Sequence, residues 1–209
     1  MSSDFVTTQP DPMWGQPCLA YNLQARLPAS AIRALVEAQS SLRQLSVPLH
    51  TIPTAALHVS VYAMVPVSWP DPPKEPFWRE IQPSVREIVK QVESEFRLVE
   101  LLFHSLRILP LAVIALAEDQ TGIFGSVRDR LKGAVRHPAL SGPSYNQIHC
   151  TLGRFSASGS IAAGEAAACA ARWRAFSTPI ADLTVVREKR YPSLEVDHLL
   201  ALPLQTDSS

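Results

Sequence analysis

The apolar positions of the chain fall into two successive series of elements. Cys18–Leu27 alternates as a strand does, and after Pro28 the residues Ile32, Leu35, Val36 and Leu42 lie on one face of a helix over Ser30–Leu45. Leu57–Met64 is rich in strand-forming residues and flanked by proline segments, which predicts a second strand. Phe77, Trp78, Ile81, Val85, Ile88, Val89, Val92 and Phe96 follow helical spacing, with Pro83 expected either to kink the helix or to mark its first turn. Leu98–Ile108 reads as a strand. A second series then begins with a buried strand at Leu111–Ala117. A helix follows, carrying Ile123, Phe124, Val127, Leu131, Ala134 and Val135 on one side. After a Gly/Pro/Ser loop at Ser141–Tyr145 come a strand at Gln147–Phe155 and an Ala-rich helix over Ile161–Phe176, with Trp173 on its apolar side. Strands at Ile180–Val186 and His198–Leu204 close the chain, with Tyr191-Pro192-Ser193 in the turn between them.

The order strand, helix, strand, helix, strand therefore occurs twice, over about 18–108 and 111–204, with one strand left over. That is an internal duplication of element order within a single domain spanning 18–204. Residues 1–17 are polar and Pro-rich and read as a flexible tail without a secretion signal, and 205–209 form a short C-terminal tail.

The halves share one local pattern. Leu57-His58-Val59-Ser60-Val61 aligns with Ile148-His149-Cys150-Thr151-Leu152. Strand alternation puts His58, Ser60 and Tyr62 on one face, and His149 and Thr151 on one face of the other strand. By the same parity Phe155 joins His149 and Arg154 turns away, which suits a structural ion pair for Arg154. Cys150 also turns to the packed side, which argues against a Cys–His nucleophile. A lone His-x-Ser/Thr is a weak signal, and a strand histidine is usually structural. Two copies at equivalent places in a duplicated order carry far more weight, and none of His50, His104, His137 and His198 has a hydroxyl residue two positions on. Such a pair suits a phosphodiester: one neutral imidazole takes a proton from the attacking oxygen and a protonated one supplies the leaving oxygen. The two hydroxyls can donate to the phosphate oxygens. No acidic residue stands at ligand spacing within either motif, so the reading requires no metal or other cofactor.

At these residues the chain resembles the 2H phosphoesterases, and within them the RNA 2′,3′-cyclic phosphodiesterase and 2′-5′ RNA ligase-like branch. His149-Cys150-Thr151-Leu152-Gly153-Arg154-Phe155 is similar to the second motif of that branch, and His58-Val59-Ser60 fits the first. The resemblance implies an α+β fold of two pseudo-symmetric β-α-β-α-β halves, with antiparallel sheets flanking a central cleft. It further implies metal-independent chemistry on cyclic or 2′-5′ linked phosphodiesters, His58 and His149 as acid/base residues, and Ser60 and Thr151 as phosphate ligands. Tyr62 and Phe155 are candidate substrate contacts beside them, and Tyr191 could reach the cleft mouth. The sequence leaves open which histidine is the acid. It also leaves open a 2′-5′ oligonucleotide phosphodiesterase or ligase and a nucleotide- or RNA-end-binding module without hydrolysis.

Composition narrows the partners. Hydrophobic residues make up 46% of the 209 residues and charged ones 18%, as expected of a globular protein. Lys+Arg and Asp+Glu number 19 each, which disfavours a coat for long nucleic acid, whose affinity needs an excess of cations. A small nucleotide or an RNA 3′ end is the expected substrate, and Arg172, Arg174, Arg187, Lys189 and Arg190 read as a solvated face. Three cysteines without CxxC spacing fit a reducing, cytoplasmic setting. The longest apolar run, Leu109–Ala117, is too short to span a bilayer, and a monomer is expected.

Overall fold

The computed structural model describes residues 5–69, 73–95, 98–135, 147–180 and 182–203. In chain order these form β1 (Phe5–Thr8), β2 (Pro17–Arg26), α1 (Ala29–Leu42), β3 (Leu49–Thr51), β4 (His58–Val65) and α2 (Lys74–Glu95). Then come β5 (Val99–Ile108), β6 (Ala112–Asp119), α3 (Ile123–Ala134), β7 (Ile148–Phe155) and β8 (Gly159–Ala162). The chain ends with α4 (Ala163–Ala171), β9 (Phe176–Ile180), β10 (Asp182–Arg190) and β11 (Glu195–Pro203). Phe96, the Ser141–Tyr145 loop, His137 and Leu204 lie outside the described residues.

The architecture is α+β, and every strand pairing is antiparallel. One sheet runs β11-β10-β2-β4 and the other β3-β7-β6-β5-β9. The duplicated order survives in space through an exchange. β5, the last strand of the first half, pairs with β6 of the second. β10, from the second half, pairs with β2 of the first. The paths β4-β2-β10-β11 and β7-β6-β5-β9 are then equivalent, with β3 added at one edge. Helices cross over as well: α1 packs against β7, and α3 against β4. Neither sheet is built from one half alone.

α2 and α3 bury most of the stripe their spacing predicts. Trp78, Ile81, Val85, Val89 and Val92 of α2 are buried, Trp78 stacking on Tyr21 of β2 with ring centroids 4.3 Å apart. Full burial of such side chains stabilises by roughly 1.5–3 kcal/mol each. The helix starts at Lys74 and runs on through Pro83, so that proline does not mark its first turn. Among the described residues no helix is long and apolar enough to cross a membrane.

Three local expectations change. Residues 5–17 are not a free tail: β1 pairs with β8, Asp11 N–H donates to the Phe155 carbonyl at 3.0 Å, and Gly15 N–H donates to the Tyr191 carbonyl at 2.8 Å. The Ala-rich helix is shorter than its apolar pattern, because Ile161 pairs with Val6 in β8 and Phe176 with Phe103 in β9. Trp173 therefore lies beyond α4, against Phe176. The expected strand Ile180–Val186 is divided between the two sheets, Ile180 ending β9 and Asp182 opening β10.

Candidate functional site

The two histidine strands contact each other where the sheets meet. Between them opens a cavity of about 470 Å³, lined by His58, Ser60 and Ala63 from β4 and by His149, Thr151 and Arg154 from β7. Asn22, Glu188, Tyr191 and Ser193 form another wall. The four motif residues thus meet at one cavity.

Both strands carry a bulge three residues after the histidine. In β4 the register steps from Gln24↔Ser60 to Leu23↔Tyr62, leaving Val61 without an opposite residue. In β7 it steps from Ile114↔Thr151 to Val113↔Gly153, leaving Leu152 likewise extra. A bulge frees a carbonyl from the ladder and re-aims the residues beyond it. Here a helix side chain donates to the carbonyl at each bulge, and at Leu152 it does so beside the Ile52 N–H at 2.9 Å. Arg128 Nε on α3 donates to the Val61 carbonyl at 2.8 Å. Gln39 Nε2 on α1 donates to the carbonyls of Leu152 and Ile52, both at 2.8 Å. Next to the second bulge, a Cβ at Gly153 would stand 3.1 Å from the His50 carbonyl of β3, so the residue also answers to a close backbone approach.

The bulges correct three parity expectations. Tyr62 is 2% exposed and packs in the core, and Ala63 takes its place at the cavity. Phe155 is 0% exposed in the core, and Arg154 faces the cavity. Arg154 does form an ion pair, with Asp11 at 2.8 Å, and its guanidinium lies 5.0 Å from the centre of the Tyr191 ring. Cys150 lies before the bulge, so its parity holds: it is fully buried and its thiol is pushed up to about 12, chiefly by burial.

Each imidazole is oriented by the backbone two residues before it. His58 Nδ1 donates to the Ala56 carbonyl at 2.8 Å, so the hydrogen of the neutral ring sits on Nδ1 and Nε2 accepts from Ser60 Oγ at 3.2 Å. His149 makes the matching bond to the backbone of Gln147. Burial is the largest cause that holds the His58 pKa below the usual histidine value; the Ala56 bond opposes it and the charge of His149 adds to it. Burial likewise leads at His149, reinforced by the cations Arg154 and Arg128 and opposed by the Gln147 bond. The free protein therefore holds two neutral rings at neutral pH, close enough to resist a second charge.

Sequence reasoning missed Asp11, Met13, Asn22, Glu188 and Ser193. One signal was available: Asn22 and Gln24 alternate in an otherwise apolar strand, and that spacing marks a polar face. His50, His104 and His198 do not line the cavity. His50 stacks on Trp14 with centroids 4.9 Å apart, and His104 bonds Ser105 on an exposed part of β5. Among the described residues no three His, Cys, Asp or Glu side chains gather as a metal site.

No protein-family model and no curated protein matches the sequence. Solved structures do match in shape. TT0787 of Thermus thermophilus is 18% identical with a TM-score of 0.63, covering 90% of this chain and 99% of its own. ATU0111 of Agrobacterium tumefaciens, a conserved protein of unknown function, is 15% identical with a TM-score of 0.59, covering 97% and 91%. LigT of Escherichia coli, whose structures include complexes with 3′-AMP and with phosphate, is 12% identical in its apo form with a TM-score of 0.56, covering 91% and 100%. The chain therefore shares its fold with TT0787, ATU0111 and LigT.

Proposed function

We propose that this protein is a metal-independent phosphodiesterase that opens 2′,3′-cyclic phosphates of nucleosides or RNA ends. One observation carries the reading: two imidazoles from duplicated strands line one cavity, each tied to backbone through one bond, with His58 Nε2 turned to the Ser60 hydroxyl. Water attacks phosphorus and gives its proton to the neutral imidazole. The bond from phosphorus to one ribose oxygen breaks, and that oxygen takes a proton from the second, protonated imidazole. A nucleoside monophosphate is released. Ser60 and Thr151 donate to the non-bridging oxygens as charge gathers there, and Arg154 adds positive charge. An anionic phosphate between the rings favours protonation of one of them, which offsets the burial that keeps both neutral in the free protein. The complexes of LigT with 3′-AMP and phosphate support a nucleotide-sized ligand here by analogy of fold.

Turnover of 2′,3′-cyclic nucleotides and of RNA ending in a cyclic phosphate, in the presence of chelator, tests the reading. Hydrolysis to a monophosphate at an undiminished rate is expected. Activity lost with chelator and restored by zinc or manganese would overturn the two-histidine mechanism. Binding without turnover across a wide panel would leave a nucleotide-binding module, and cleavage confined to 2′-5′ linked oligonucleotides would redirect the reading to that substrate.

A further inference from the structure

The cavity has a second polar wall that the chemistry above does not use. Glu188 of β10 lines it although the residue is only 3% exposed. Its Oε2 accepts from Asn22 Nδ2 at 2.9 Å and its Oε1 from the Ser193 N–H at 2.7 Å. Ser193 sits at a φ of 53°, a conformation few non-glycine residues adopt, and its Oγ accepts from Gln24 Nε2 at 2.9 Å. The carboxylate is thus fixed on both oxygens by groups that are themselves buried. Burial raises the Glu188 pKa, while these two donors and the nearby Arg154 and Lys74 favour its ionised form.

A carboxylate oxygen has two lone-pair directions. Each oxygen of Glu188 spends one on the protein and keeps one. A negative group here repels a phosphodiester, so the phosphate belongs at the imidazoles, and this wall meets a different part of the same ligand, one that donates hydrogen bonds. Among nucleobases, guanine offers two adjacent donors, N1–H and the 2-amino group, at the spacing of two carboxylate oxygens. Adenine and cytosine set one amino group beside a ring acceptor, and uracil sets its single N–H between two carbonyls.

We propose that Asn22, Glu188 and Ser193 form a base-recognition subsite selective for guanine, with the Glu188 carboxylate accepting from the N1–H and 2-amino edge. This deepens the phosphoesterase reading and rests on it for where the phosphate lies. Hydrogen bonds to a charged acceptor contribute about 1.5–3 kcal/mol, or on the order of ten- to a hundredfold in affinity.

Calorimetric titration of the full chain with the 3′-monophosphates of guanosine, adenosine, cytidine and uridine tests it, beside turnover of the four 2′,3′-cyclic nucleotides. Guanosine monophosphate is expected to bind at least about tenfold more tightly than the others, with uridine weakest. Glu188→Gln is expected to abolish that preference by weakening guanosine alone. Equal or absent binding of the four by the wild type overturns the proposal, and so does a loss in Glu188→Gln shared evenly by all four. Should the variant fail to fold, the wild-type ranking decides. Guanine-selective binding without turnover of any cyclic nucleotide would break the phosphodiesterase reading and leave the subsite standing. Turnover without base preference would do the reverse.

Discussion

β4 and β7 follow the same backbone plan and place different charges around it. Both carry a histidine anchored to the carbonyl two residues earlier, a hydroxyl two residues later, and a bulge whose carbonyl is met by a helix side chain. Beyond that the strands diverge. The bulge in β7 is met by neutral Gln39 and that in β4 by cationic Arg128, whose charge reaches His149. Five residues after the histidine stands Ala63 in one strand and Arg154 in the other. The comparison teaches that duplication preserved the geometry an imidazole needs, while charge was placed on one side only. His58 is kept neutral by burial above all, and His149 by burial together with two guanidiniums. Unequal surroundings are what separate an acid from a base in a symmetric frame.

If the two strands contribute equally to proton transfer, His58→Ala and His149→Ala should each lower kcat by about 10²–10⁴-fold, the usual worth of a general acid or base. A steady-state assay on one cyclic nucleotide checks this, and a variant that kept a tenth of the activity would show that its histidine has no such role. Ser60→Ala and Thr151→Ala should cost somewhat less, about 10²-fold in kcat with a smaller change in KM, because they act on charge that gathers in the transition state. Equal losses from the two would extend the symmetry to the hydroxyls. The helix donors separate the lobes. Gln39→Leu takes the side-chain donor from the Ile52 carbonyl, leaves the Leu152 carbonyl with the Ile52 N–H alone, and should lower the unfolding free energy by about 1–3 kcal/mol in urea, without moving the pH profile of kcat/KM. Arg128→Leu should lower stability by about as much and also move one limb of that profile to higher pH.

The sign of that last shift follows from the free-protein rings. Both histidines lose their proton below 6.5, so the wild-type kcat/KM should peak on the acid side of that value. Removing the Arg128 cation relieves one of the causes that depress His149, so the limb it controls rises. An unchanged profile in Arg128→Leu would show that its charge is screened from the ring.

Much of this site was legible before any coordinates. The duplicated order, the two histidines and their hydroxyls depend only on apolar spacing and strand alternation, and they meet as expected. The reading failed where alternation itself stops. One inserted residue at Val61 and one at Leu152 reverse the faces of the residues that follow, which exchanged Tyr62 for Ala63 and Phe155 for Arg154. The donors that stabilise those insertions, Gln39 and Arg128, lie on helices far away in sequence, so no local pattern announces them. β1, β3, β8 and β9 are short strands defined by their partners, and Phe5–Thr8 carries no sign in itself that Gly159–Ala162 will pair with it. The exchange of β5 and β10 between sheets is equally invisible, because both connections look ordinary along the chain.

That exchange governs how the protein is made. Emerging from a ribosome, the His58 strand and β2 must wait for β10 and β11, which follow every other strand in the chain, before their sheet is whole. Until then the edge of β2 is open to stray pairing. A chain severed after Ile108 would yield two fragments, each lacking a strand that the other holds, and they should regain shape only when mixed.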